Sequence, residues 1–243
     1  GADTDFSPYD SGSYASSTTY ITGQAVVRAS TELEKRIRTL AARMLTCELE
    51  DVDYDGHVAK NVKTGASVTI EEIGYQAQCS NDYALQVTES YTSPVSPPPY
   101  MAGAVEIELD KETGHVEILD YKAVVDCGTV VNPNLARVQT EGGLVQGIGM
   151  TLYENIQYNE KGRMLNNSFM QYKVPSRRDM GNLQVEFESS YEDNGPFGAK
   201  SIGEVVINTP TSAIASAVKH ATGVQVRTLP ITAEKVLLGK EDE

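Results

Sequence analysis

Hydrophobic and polar positions along the chain fall into stretches of distinct period. From Gly23 to about Leu49, Val26, Ala29, Leu33, Ile37, Leu40, Ala41 and Leu45 recur at intervals of three and four. That spacing lines one stripe of an amphipathic helix. Short strands and turns are predicted from Val52 to Val68. Thr69 is followed three residues later by Glu72, the capping-box pattern that opens a helix, here running to about Gln78. Tyr91 to Tyr100 carries four prolines among serines and reads as an extended connection. Alternation is clearest between Ala102 and Val131: Val105, Ile107 and Leu109 lead to a turn at 110–114, and Val116, Ile118 and Tyr121 follow. A hairpin is predicted there.

Glu141 to Gln157 mixes Gly142, Gly143, Gly147 and Gly149 with Leu144, Val145, Ile148, Met150 and Leu152. This reads as a tightly packed helix whose glycines let a ligand or another backbone approach closely. A strand over Leu183–Glu188, a helix over Pro210–Ala221 and a short terminal helix within 229–238 complete the pattern. Helices and largely antiparallel strands, with no internal repeat and no strand–helix–strand rhythm, predict an α+β fold. We expect a first lobe over 1–100 and a second over 101–243.

The length of 243 residues suits one large domain or two smaller ones, with a core that needs no disulfide or metal staples. A formal net charge of −14 argues against nucleic acid or an anionic membrane as partner, since both are held by basic surfaces. The most basic stretch, Lys35 to Arg43, is interleaved with apolar residues on the predicted helix. No apolar run is long enough to span a bilayer. Cys47, Cys79 and Cys127 are odd in number and far apart, so reduced, buried thiols in a cytoplasmic protein are expected rather than disulfides or a zinc site. The sequence opens on Gly1, which points to a processed product or a piece of something longer.

Several motifs fail on inspection. Asp51, Asp53, Asp55 and Gly56 match the first half of a calcium loop, but Val62 stands where the bidentate acid is needed; a turn between strands is expected instead. The glycines from 142 to 149 lack the strand and spacing of a dinucleotide fingerprint. His57, His115 and His220 have no partner at ligand spacing and are expected at the surface or in caps.

Three segments carry more. Ser13 to Thr19 is a row of hydroxyls just before a helix start, where unpaired N–H groups favour an anion or polar heterocycle; a plain cap and turn is the alternative. Gln139 and Gln146 flank paired glycines, so their amides suit a pterin-like edge or ordinary structural hydrogen bonds. In Gly195-Pro-Phe-Gly-Ala-Lys-Ser-Ile-Gly-Glu204 a carboxylate ends a glycine-rich loop before an apolar run. That makes Glu204 a candidate desolvated general base.

In this order the segments resemble the xanthine dehydrogenase/aldehyde oxidase family of molybdenum hydroxylases, in the C-terminal part of the molybdenum-cofactor-binding subunit. The resemblance rests on Asp3-Thr-Asp5, Ser13 to Thr18, Asp126-Cys-Gly-Thr-Val-Val-Asn-Pro133, Gln139 to Gly147 and Lys200-Ser-Ile-Gly-Glu204. It implies a molybdopterin-binding fold, with Glu204 as the catalytic glutamate. Ser13, Tyr14, Ala15, Ser16, Thr18, Gln139, Lys200 and Ser201 would be cofactor-binding, with Ala15 near metal and substrate, and the molybdenum held by the pterin dithiolene rather than by side chains. Ser201-Ile202 stands where many relatives have Gly-Val, and Tyr14 where some have a small residue. Both affect the substrate pocket more than the chemistry.

The family's earlier segments, including a Gly-Gly-x-Phe-Gly-Gly loop, do not occur, so the rest of the molybdenum subunit should be needed to complete the site. The implied cofactor is molybdenum–molybdopterin, as such or as a dinucleotide, with iron–sulfur clusters and FAD on partner subunits of a hetero-oligomer. The implied activity is hydroxylation of a purine or other N-heterocycle with water-derived oxygen. An aldehyde or an aromatic thioester is the alternative substrate, and a non-catalytic structural or binding subunit the alternative role.

Overall fold

In the computed structural model, which describes residues 3–5, 9, 12–80 and 85–239, the first amphipathic stretch forms α1 over Thr18–Leu45. The helix starts earlier than Gly23 because Thr18-Thr-Tyr20 joins its first turn. Asp10 and Ser11, just ahead of the expected hydroxyl row, lie outside the described residues. Contacts divide the chain into a unit of residues 21–94 and a unit of residues 1–20 with 95–243.

The smaller unit packs α1 against an antiparallel sheet of β1 (Val52–Tyr54), β2 (Val58–Asn61) and β3 (Ser67–Thr69), and against α2 (Ile70–Cys79). Ile37, Leu40 and Ala41 of α1 meet Val52, Ala59, Ile73 and Ala77 in its core. The capping box forms: the Thr69 hydroxyl accepts from the Glu72 amide at 3.3 Å, and Glu72 accepts from the Thr69 amide at 2.8 Å. Asp55 accepts from the amides of His57 and Val58, both at 2.8 Å. Asp51 pairs with Lys63 at 2.7 Å. Asp55 and Gly56 thus make the turn between β1 and β2, and Asp51 and Asp55 have partners of their own.

In the larger unit, β4 (Tyr100–Leu109), β5 (Val116–Asp126) and β6 (Asn182–Glu188) form a sheet in that order. The expected hairpin joins β4 to β5, with Asp110 accepting from the Glu112 amide at 2.8 Å in the turn. β6, however, runs parallel to β5, so the sheet is mixed and contains one strand–helix–strand unit that the sequence pattern did not reveal. Parallel neighbours need a long crossover, and α3 (Pro133–Leu152) lies in it.

α3 begins at Pro133 rather than Glu141. Asn132 caps it by accepting from the Leu135 amide at 3.1 Å, and proline takes the first position, where its missing N–H costs nothing. Ile148 of α3 joins Val116, Ile118 and Met180, together with Ile214 and Val218 of α4 (Thr209–Thr222) and Val236 of α5 (Ala233–Leu238), in the main core. The helix glycines serve this packing. A Cβ on Gly143 would collide with Val206, and one on Gly147 would lie 2.7 Å from Pro210.

Cys127 is buried, but Cys47 is half-buried and Cys79 exposed, which corrects the expectation that all three are buried. The three histidines are exposed. Among the described residues, no helix is long and apolar enough to cross a membrane.

Candidate functional site

Two non-glycine residues in succession, Ala15 (φ 50°) and Ser16 (φ 55°), hold the left-handed conformation, which L-residues adopt at a cost. The Ser17 amide closes this turn by donating to the Tyr14 carbonyl at 3.2 Å. The tight reversal ahead of α1 presents the Ser16 hydroxyl to the far end of the sequence. Ser16 Oγ donates to Glu204 Oε2 at 3.1 Å, across 188 residues.

Glu204 is set by the residues that follow it. Val205 and Val206 are buried with Val125 and Cys127, in a short 3-10 turn over Val205–Ile207. Burial of these valines fixes the backbone from which the carboxylate projects. Glu204 is exposed among the described residues, so the described residues do not build the expected desolvated corner around it. Gly203 has no room for a side chain. A Cβ there would lie 2.8 Å from Ser16 Oγ and 3.8 Å from Gln139 Nε2, so a glycine is required where the serine loop, α3 and the glutamate loop meet.

These three segments border one cavity of about 470 Å³. Ser13, Ser16, Thr18, Gln139 and Lys200 line it, whereas Tyr14, Ala15, Ser201 and Glu204 do not stand among its lining residues; Glu204 reaches it through its neighbour Gly203 and its bond from Ser16. Tyr14 is exposed. Sequence reasoning assigned no role to Cys127, Val130 and Leu135, which with Ile202 supply apolar surface to the cavity. The signal available for them was the stretch from Asp126 to Pro133, which entered the resemblance as a motif without roles for its apolar members.

Asp126 closes β5 and accepts from the Gly128 amide at 2.9 Å, from Ser190 Oγ at 2.7 Å and from Lys200 Nζ at 3.0 Å. Burial alone would raise its pKa, but the bonds from Ser190, Gly128 and Lys200 outweigh it and hold the carboxyl below the ordinary carboxylate value. Burial, followed by the charge of Asp126, pushes the neighbouring Cys127 thiol up.

The hydroxyl-bearing side of the cavity suits a polar, anionic group, and Cys127, Val130, Leu135 and Ile202 offer it an apolar side. Hydroxyls of Ser13, Ser16 and Thr18 line the cavity with the start of α1, whose first amides have no helical partner, and with the Gln139 amide, which comes close to Ser16 beside Gly203. Gly203 keeps the wall between them level. Among the described residues, no group of three His, Cys, Asp or Glu could hold a metal. The profile of the molybdopterin cofactor-binding domain matches residues 1–181. The chain belongs to that family.

Molybdopterin is thus the cofactor of the domain, and the xanthine dehydrogenase/aldehyde oxidase resemblance stands. The chain is 35% identical, over 97% of its length, to 31% of the 6-hydroxypseudooxynicotine dehydrogenase complex subunit gamma of Paenarthrobacter nicotinovorans. It is 33% identical, over 98% of its length, to 25% of a probable hypoxanthine oxidase of Escherichia coli. The crystal structure of quinoline 2-oxidoreductase from Pseudomonas putida 86 superposes with a TM-score of 0.81 at 25% identity, covering 97% of this chain and 31% of that one. The chain therefore spans about a quarter to a third of the length of these curated relatives.

Proposed function

We propose that this molybdopterin-binding domain forms part of the active site of a molybdenum hydroxylase acting on a purine or other N-heterocycle, with Glu204 as general base. The observation that carries the reading is the meeting of Glu204, Ser16 and Gln139 around Gly203, at the edge of a donor-lined cavity. Ser13, Ser16 and Thr18 would hold the anionic and pterin side of the cofactor, and Gln139 would offer its amide to the heterocycle edge. Bound molybdopterin supplies a redox-active molybdenum that accepts electrons from substrate.

The chain's own contribution is the proton. The Glu204 carboxylate takes it at Oε1 or Oε2 from the water-derived oxygen, while Ser16 keeps Oε2 in place. A general base works best shielded from bulk water, and the described residues leave Glu204 exposed. We assign the covering wall to the rest of the molybdenum subunit. Electrons would leave through iron–sulfur and FAD partners, because three separated cysteines cannot hold a cluster here. Preference for an N-heterocycle is supported by the names of relatives that act on hypoxanthine and quinoline.

In the assembled enzyme, Glu204→Gln should abolish turnover while molybdenum and pterin contents stay at the wild-type level. Substantial residual turnover in that variant would refute the assignment. A non-catalytic cofactor-holding subunit is the second reading, favoured by the exposure of Glu204, and it predicts an assembled wild-type complex that binds cofactor and turns over no substrate.

A further inference from the structure

Lys200 lines the cavity, yet its ammonium points elsewhere. Nζ lies 3.0 Å from Asp126 and 5.5 Å from the ring centroid of Tyr100, with the lysine side chain 10% and the aspartate side chain 20% exposed. A phosphate could take that ammonium only by leaving a largely buried carboxylate unpaired, which is costly. The same neighbourhood ties down the backbone. The Lys200 amide donates to the Cys127 carbonyl at 2.7 Å, the Thr129 amide to the Gly198 carbonyl at 2.9 Å, and Gly128 bridges Ala199. A Cβ on Gly128 would strike the Gly198 carbonyl, so the two segments lie as close as backbones can.

Only Ser201, Ile202 and Gly203 separate this anchor from Glu204. Beyond Glu204 the chain is fixed again by buried Val205 and Val206, against which Ile202 packs. We infer that Asp126 and Lys200 are positioning residues for the glutamate loop, and that Lys200 is not a cofactor ligand. Asp126, itself held by Ser190 and the Gly128 amide, fixes Lys200 at the end of β5. Lys200 in turn fixes where the five-residue span from 200 to 204 begins, and thereby where the Glu204 carboxylate meets Ser16. A largely buried ion pair adds little net stability compared with an apolar pair of the same volume; its value here is a single geometry. The consequence for turnover rests on Glu204 being the base, but the anchoring does not.

The test uses the assembled enzyme carrying Lys200→Met, Asp126→Asn, both together, or Lys200→Arg. Hydrogen exchange at the Lys200 and Thr129 amides reads the anchor directly. Lys200→Met and Asp126→Asn should each speed that exchange about tenfold or more, and the double variant should be no faster than the worse single one. Lys200→Arg, which keeps the charge, should restore protection. Turnover should fall roughly tenfold to a hundredfold in kcat, with KM within about twofold and with wild-type molybdenum and pterin contents.

Unchanged amide protection in both single variants would overturn the inference. So would loss of cofactor from Lys200→Met with protection intact, which would make Lys200 a ligand. If Glu204→Gln proved active while Lys200→Met loosened the loop, the anchor would stand and the base assignment alone would fall. Should Lys200→Met fail to assemble, Lys200→Gln, which retains a donor toward Asp126, is scored on the same exchange criterion.

Discussion

Ser16 and Glu204 lie 188 residues apart in sequence and 3.1 Å apart in space. The contact depends on two features that look unrelated along the chain. One is the paired left-handed conformation of Ala15 and Ser16; the other is the missing side chain of Gly203, whose Cβ would press on Ser16. Without either, the hydroxyl and the carboxylate could not share one edge of the cavity.

Removing the hydroxyl should therefore hurt the assembled enzyme without unfolding it. A hydrogen bond to a charged acceptor contributes roughly 1.5–3 kcal/mol, so Ser16→Ala should lower kcat about tenfold to a hundredfold. Cofactor content should change little, because Ser13, Thr18 and Gln139 still line the cavity. Steady-state kinetics with parallel molybdenum analysis distinguish this from simple cofactor loss.

Two adjacent glycines on α3 should respond oppositely to the same change. Gly143 sits against Val206, where a Cβ collides with a fully buried side chain, whereas Gly142 has nothing within 4 Å. Gly143→Ala should cost about 1–3 kcal/mol by overpacking, and should disturb the Val205–Ile207 turn that follows Glu204. Gly142→Ala should instead stabilise by roughly 0.5–1 kcal/mol through helix propensity. Denaturant unfolding of the two variants checks the contrast. Loss of activity in Gly142→Ala at full stability would mark that open helix face as a place where something binds.

Periodic elements were legible in the sequence wherever one face is buried: α1, the β4–β5 hairpin and α4 each follow their apolar spacing. What escaped is what period cannot encode. The parallel placement of β6 depends on how α3 crosses between strands, and the alternation in Leu183–Glu188 is the same for either direction. The start of α3 at Asn132-Pro133 was masked because its first turns face the cavity and solvent, leaving Leu135 and Val138 exposed, instead of the core. At the site, the motifs named Glu204 and the serine loop, but the exposure of Glu204 was not foreseeable. Burial of a loop carboxylate is decided by what packs over it, not by its neighbours in sequence. The Lys200–Asp126 pair was likewise hidden, since 74 residues separate its members.

Thiol chemistry should sort the three cysteines by their surroundings. Cys79 is exposed, Cys47 half-buried and Cys127 buried among Val125, Val205 and Val206. Because burial and the Asp126 charge also push the Cys127 thiol up, its reactive thiolate is scarcer as well as harder to reach. A maleimide or disulfide reagent at neutral pH should label Cys79 first and Cys127 only after unfolding, as peptide mapping would show. Early labelling of Cys127 would mean that the apolar wall of the cavity opens readily.

Acid should expose the role of Asp126 in stability. Its carboxyl is held below the ordinary value of 3.8 when folded, so above that value both folded and unfolded chains carry the charge and its full contribution is present. As pH drops through the ordinary value the unfolded chain takes up a proton first. Stability then declines, and the contribution is gone once pH passes the folded value. Asp126→Asn lacks this term, although Asp55, Asp110 and Asp179, also held low by hydrogen bonds, still titrate in both proteins and cancel in the difference. The variant should therefore be less stable than wild type by about 3 kcal/mol or less near neutral pH, since it leaves Lys200 without its anion in a partly exposed site. That gap should narrow steadily below about pH 4. Unfolding curves for the two proteins, collected from neutral to acid pH, test this directly. A gap that stays constant into acid would show that the Asp126 charge stabilises nothing, and that the residue acts only through its hydrogen-bond geometry.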